Sequence, residues 1–206
     1  MIKIKICGIT NLDDALAAAN FGADALGFNF YKKSPRYIDP EKAAEIISQM
    51  PPIIMPVAVF VNEREERIRE VQGMTCIQTV QLHGDESPEF CSRFGARVIK
   101  AFQVKDKESI KHMAHYHVGA FLLDSYRDNQ RGGTGETFDW HLAVVAKTFG
   151  RIILAGGLTP ENAAEAVKLV QPYGVDVASG VEREPGVKDH AKLKKFITEV
   201  RRATRP

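Results

Sequence analysis

Only three cysteines, Cys7, Cys76 and Cys91, occur in 206 residues, and no two of them form a CxxC pair. An odd, dispersed set argues against a disulfide framework or a thiolate metal site and for reduced thiols. Charge of one sign is lacking too. Lys and Arg number 28 against 26 Asp and Glu, a formal net charge of +2, so nothing favours nucleic acid or a membrane surface as partner. No apolar run approaches the length of a membrane span, and no charged-then-apolar leader precedes the first strand-like residues. A cytoplasmic protein is expected. The first turn, Cys7-Gly8-Ile9-Thr10, is not GxGxxG, and Gly132-Gly133-Thr134-Gly135 lacks the Gly-Lys-Ser/Thr ending of a nucleotide-binding loop. His112, His115 and His117 crowd together without a nearby carboxylate or thiolate set, so no metal is expected there. The richest basic run, Lys192, Lys194, Lys195, Arg201, Arg202 and Arg205, reads as the solvated face of a last helix.

The 44% hydrophobic and 26% charged fractions are those of an ordinary globular protein with one sizeable core. Short apolar runs recur, each followed by a helical pattern. Ile2 to Ile6 precedes Leu12 to Asn20, Ala25 to Phe30 precedes Glu41 to Met50, and Val57 to Val61 precedes Glu63 to Val71. Ile77 to Leu82 leads to a helix opened by Ser87-Pro88, Val98 to Phe102 to Ser109–His115, and Ala120 to Leu123 to Trp140–Phe149. Ile152 to Ala155 leads to a capped start at Thr159-Pro160-Glu161-Asn162, and Val175 to Ala178 to a helix from about Asp189. Serine or threonine before proline is a start signal, because the imide nitrogen sits where an N–H would be unpaired. Eight strand–helix units without a linker predict a parallel sheet and a single (β/α)8 barrel over residues 1–206.

Such a barrel carries its chemistry on the loops after the strands. Cys7 ends the first strand, on the face of Lys3 and Lys5; it reads either as a reactive thiol or as a small buried hydrophobe. Asp124 ends the sixth, where burial would favour a protonated carboxyl able to act as general acid; a helix cap or an ion pair is the alternative. Arg36, in the long second loop, suits a carboxylate ligand or is a surface arginine. His83, after the fourth strand, contacts substrate or caps the next helix. Gly156-Gly157 and Ser179-Gly180 follow the seventh and eighth strands, where barrels commonly hold phosphate, so a phosphorylated small molecule is expected.

Lys5-Ile6-Cys7-Gly8-Ile9-Thr10, Gly27-Phe28-Asn29-Phe30 with Ser34-Pro35-Arg36, Val80-Gln81-Leu82-His83-Gly84, Leu122-Leu123-Asp124-Ser125 and Gly132-Gly133-Thr134-Gly135 together resemble the phosphoribosylanthranilate isomerase family of tryptophan biosynthesis. Gly156-Gly157-Leu158-Thr159-Pro160-Glu161-Asn162 and Val175-Asp176-Val177-Ala178-Ser179-Gly180-Val181-Glu182 complete the set, in family order along almost the whole chain. One departure is Ala178, where relatives often carry a second serine. The resemblance implies an Amadori rearrangement with Asp124 as general acid and Cys7 as general base, its thiol acidified by Lys5. It further implies Arg36 on the anthranilate carboxylate, His83 and Asp176 lining the pocket, and Gly156, Gly157, Ser179 and Gly180 around the phosphate. Gly133 would lie in a loop closing over substrate, and no metal or organic cofactor would be needed by a monomer or homodimer. Rival readings are another phosphosugar barrel, a broader aminoaldose isomerase, or a barrel that binds a phosphorylated metabolite without catalysis.

Overall fold

In a computed structural model of the chain, residues 1–125 and 139–204 are described. Strands β1 (Lys3–Cys7), β2 (Ala25–Asn29), β3 (Met55–Phe60), β4 (Thr79–Leu82), β5 (Val98–Val104), β6 (Ala120–Ser125), β7 (Ile152–Leu154) and β8 (Gly174–Val177) pair in sequence order. β8 returns parallel to β1, with Lys5 opposite Asp176, and closes the barrel. Helices α1 (Leu12–Phe21), α2 (Pro40–Ser48), α3 (Glu65–Thr75), α4 (Pro88–Ser92), α5 (Lys107–Lys111), α6 (Trp140–Ala146), α7 (Ala163–Val170) and α8 (His190–Ala203) follow the strands in turn. This is the expected (β/α)8 architecture.

The period-two alternation of the strands sorts apolar residues into two cores. Ile4, Ile6, Leu26, Phe28 and Phe60 face outward and pack under the helices. Ala25, Val57, Ile99, Ala101, Ala120, Leu122, Ile153 and Ala155 form a second cluster inside the barrel. Lys5 and Asp176 share the inner face with Ala25 by strand register. Polar side chains therefore enter the barrel beside an apolar plug and gather toward one rim.

Local chemistry sets the helix starts. Asn11 accepts from Asp14 N at 2.8 Å, and Asp39 and Ser87 cap helices that carry proline in the first turn. Several element bounds differ from expectation, and one strand pair is additional. A capping box between Asp106 and Ser109 begins α5 at Lys107, and its tail tightens into a 3₁₀ turn at His112–His115. α7 begins at Ala163, because Asn162 is drawn back to the preceding loop. A hairpin of β9 (Glu182–Glu184) and β10 (Val187–Lys188) stands between β8 and α8. Its turn contains Pro185-Gly186, with Gly186 at φ 84°. The basic run is only partly a solvated face: Arg201 donates to Ile2 O at 2.6 Å, Gly22 O at 2.8 Å and Asp24 Oδ2 at 2.7 Å, clasping α8 to the start of β1. No described helix is long and apolar enough to cross a membrane.

Candidate active site

Cys7 ends β1 at the rim, part-buried. Gly27 on the neighbouring strand makes room for it, since a Cβ there would lie 2.8 Å from Cys7 Sγ. Lys5, one inward residue earlier, pairs with Asp176 at 2.8 Å, and both side chains are buried. Burial pushes the Cys7 thiol pKa up from 9.0; Lys5 and Lys188 pull the other way, while Asp176 adds to the rise. Lys5 pulls the thiol toward the thiolate, as expected, but desolvation of the thiolate is the larger influence and the net direction is upward.

Behind Cys7 lies a network that no local pattern announced. Lys188, from β10, donates to Cys7 O at 2.6 Å and to Glu182 Oε1 at 2.8 Å. Glu182 in turn holds Arg36 through Nε at 2.9 and 3.1 Å and through Nη2 at 2.7 Å. Burial works to lift the Glu182 carboxyl, yet Arg36 and Lys188 hold it below 4.5. Lys188 itself is lowered from 10.5, chiefly by burial and against the pull of Glu182. Arg36 is thus a fixed guanidinium rather than a free surface arginine. Gly8, at φ 77°, lies so close that a Cβ there would meet Arg36 Cδ at 2.6 Å.

Asp124 lies across the barrel at the end of β6, buried, with Oδ1 accepting from Ser125 N at 2.9 Å. His83 Nε2 stands 3.3 Å from Asp124 Oδ2, and His83 Nδ1 is 2.9 Å from Gln81 Nε2. His83 therefore faces the carboxyl and does not cap α4, a task Ser87 performs. Gly156 and Gly157 follow β7 at φ 76° and 68°. A side chain at Gly156 would strike Ser125 N and come within 2.8 Å of Asp124 Oδ1. Among the described residues no hydrogen bond is donated by the backbone N–H of Gly156 or Gly157.

The two glycine loops form one surface, because a Cβ on Gly180 would strike Leu158 O. Ser179-Gly180 opens a single 3₁₀ turn, whose first N–H groups have no partner within the turn. Asn162 braces the other loop, donating to Gly157 O at 2.9 Å and accepting from Thr159 N at 2.8 Å. N–H groups clustered on two adjacent turns are an arrangement that suits an anion. The expected residues thus fall into three groups on one rim: Cys7, Arg36 and Asp176; His83 and Asp124; Gly156, Gly157, Ser179 and Gly180. Gly133 lies outside the described residues. Lys188, Gln81 and the clamping role of Glu182 were missed. Among the described residues no three His, Cys, Asp or Glu gather as metal ligands.

A thiol, a carboxyl, a guanidinium and two adjacent turns that suit an anion, all on one barrel rim, invite comparison with known proteins. The family model for N-(5'phosphoribosyl)anthranilate (PRA) isomerase matches residues 4–199. The chain belongs to that family. It is 58% identical over 197 residues to the N-(5'-phosphoribosyl)anthranilate isomerase of Geotalea uraniireducens, covering 96% of this chain and 97% of the relative. It is also similar to the crystal structure of phosphoribosyl anthranilate isomerase from Thermotoga maritima, with TM-score 0.90 and 43% identity over 98% of this chain and 99% of the other. A crystal structure of a phosphoribosyl anthranilate isomerase with reduced 1-(o-carboxyphenylamino)-1-deoxyribulose 5-phosphate matches with TM-score 0.87 and 42% identity, covering 98% of this chain and 99% of that one.

Proposed function

We propose that this protein is a phosphoribosylanthranilate isomerase of tryptophan biosynthesis, converting N-(5-phosphoribosyl)anthranilate to 1-(2-carboxyphenylamino)-1-deoxyribulose 5-phosphate. The observation that carries the reading is the pairing of Cys7 and Asp124 on opposite sides of a rim whose remaining sector is an anion cradle. The substrate phosphate sits on Gly156, Gly157, Ser179 and Gly180, and its carboxylate meets the guanidinium edge of Arg36 that Glu182 leaves open. Asp124 donates its proton to the furanose oxygen as the C1–O bond breaks, and the anthranilate nitrogen supplies the electron pair for an iminium at C1. Cys7 then removes the C2 proton, and the C2–H electrons form the C1–C2 enolamine, neutralising the iminium. Tautomerisation of the enolamine yields the C2 ketone.

The iminium is itself the electron sink, so a base of modest population suffices. Because burial raises the Cys7 thiol, its thiolate is a minor species at neutral pH and grows as pH rises. Asp176, hydrogen-bonded to Lys5, keeps that lysine beside the thiol rather than letting it swing to solvent. A monomer or homodimer acting on a phosphorylated small molecule completes the reading. The test is the loss of phosphoribosylanthranilate fluorescence on adding purified protein with chelator present. Turnover is expected; its absence, while a known isomerase converts the same sample, refutes the assignment.

A further inference from the structure

Gln81 is an amide in an apolar run, 1% exposed, on β4, turned into the barrel interior where Lys5 and Asp176 also stand beside the apolar plug. A leucine there would cost no buried polar group. Its Oε1 is buried and has no hydrogen-bond partner among the described residues. Its Nε2 reaches His83 Nδ1 at 2.9 Å. Among the described residues, the one bond this amide makes is thus to the imidazole beside Asp124. An amide NH₂ can only donate, so the Nδ1 it meets is the unprotonated nitrogen. The proton of the neutral ring then sits on Nε2, 3.3 Å from Asp124 Oδ2.

We infer that Gln81 is a positioning residue of the isomerase reaction: it fixes His83 as the neutral Nε2–H tautomer, so that an N–H dipole faces the Asp124 carboxyl. Two consequences help an acid that must give its proton away. A hydrogen on Nδ1 would meet the amide hydrogens head-on, so the contact opposes a change of tautomer. Once the proton has left, the Ser125 N–H donates to Oδ1 at 2.9 Å and the Nε2–H lies 3.3 Å from Oδ2, so each carboxylate oxygen has an N–H close by. The opposite tautomer would put a lone pair against the new carboxylate. This inference rests on Asp124 being the general acid.

The test joins ¹⁵N NMR of the histidine rings with steady-state kinetics of the full-length protein. In the wild type at alkaline pH, His83 should show a protonated Nε2 and a bare Nδ1. Gln81→Met should give a tautomer mixture, with kcat down about tenfold, a part of the hundred- to ten-thousandfold a placed acid supplies, and KM nearly unchanged. In a His83→Ala background, Gln81→Met should cost nothing further, since its effect runs through the ring. Gln81→Glu keeps the volume, should the methionine variant fold poorly; its acceptor draws the proton to Nδ1 and should lower kcat similarly. A wild-type Nδ1–H tautomer, or an equal loss from Gln81→Met with and without His83, overturns the inference and leaves the acid assignment standing. Full turnover by Asp124→Asn instead overturns the acid assignment, and with it the purpose of this arrangement.

Discussion

The two sides of the rim solve opposite electrostatic problems. Around Cys7 the barrel gathers formal charge: Lys5 on Asp176, and Lys188 and Arg36 on Glu182, all largely withdrawn from water. Around Asp124 the described partners are uncharged or only conditionally charged: a backbone N–H, an imidazole and, behind it, an amide. On the proposed assignment, the base Cys7 has cations nearby, whereas the acid Asp124 has no lysine or arginine bonded to it among the described residues. The charged side is also a cross-strand clasp, because Lys188 ties the β10 hairpin to the carbonyl of Cys7 itself. Stability and catalysis should therefore be coupled on the Cys7 side and separable on the Asp124 side.

Removing the reactive groups gives the largest effect. Cys7→Ala and Asp124→Asn should each lower kcat by about a hundred- to ten-thousandfold in the fluorescence assay, with product affinity by titration largely kept. Glu182→Ala should expose the coupling. It strands two buried cations, so urea denaturation should show a loss of about 3 kcal/mol together with a raised KM. His83→Asn, on the other side, should lower kcat with little change in the denaturation midpoint; equal destabilisation of both variants would erase the contrast. Arg36→Ala removes a charge-assisted contact and should weaken product binding by about 1.5–3 kcal/mol, most for ligands bearing the carboxylate. Affinity unchanged by calorimetry would remove Arg36 from the anchor role.

Gly156→Ala should cost about 1–3 kcal/mol from its positive φ and lower kcat as well, because the new methyl group presses on Asp124 and Ser125. The smallest effect is a pH midpoint. Burial penalises the thiolate, so the Cys7 pKa lies above 9.0 and the reactive fraction increases as pH rises toward it. Site-resolved alkylation by mass spectrometry should give a midpoint above 9.0 for Cys7. A midpoint below the ordinary thiol range would mean that the cations, not burial, decide.

What was legible in the chain was local. Cys7 and Asp124 close apolar strand runs, the glycine pairs follow β7 and β8, and the serine cap before Pro88 marks a helix start, all within a few residues. What was not legible depends on partners far along the chain. Asp176 lies 171 positions from the Lys5 it neutralises, and Lys188 lies 181 from the Cys7 carbonyl it binds. Proximity in sequence therefore overstated the hold of Lys5 on the thiol. Gln81 sits in the run Val80-Gln81-Leu82 and reads as strand interior. Only the register of the closed barrel turns it inward beneath His83. The Pro185-Gly186 turn was a visible hairpin signal, overlooked because the eight-unit pattern left no place for a further strand pair.

The division of labour across the rim is tested most directly with substrate deuterated at the ribose C2, turned over by two weakened enzymes. In Cys7→Ser, loss of the C2 proton should limit the rate, so a clear primary deuterium effect on kcat is predicted. In Asp124→Asn, ring opening should limit and the isotope effect should nearly vanish. The same isotope effect in both variants, or a larger one in Asp124→Asn, would contradict the assignment of acid and base to opposite sides of the barrel.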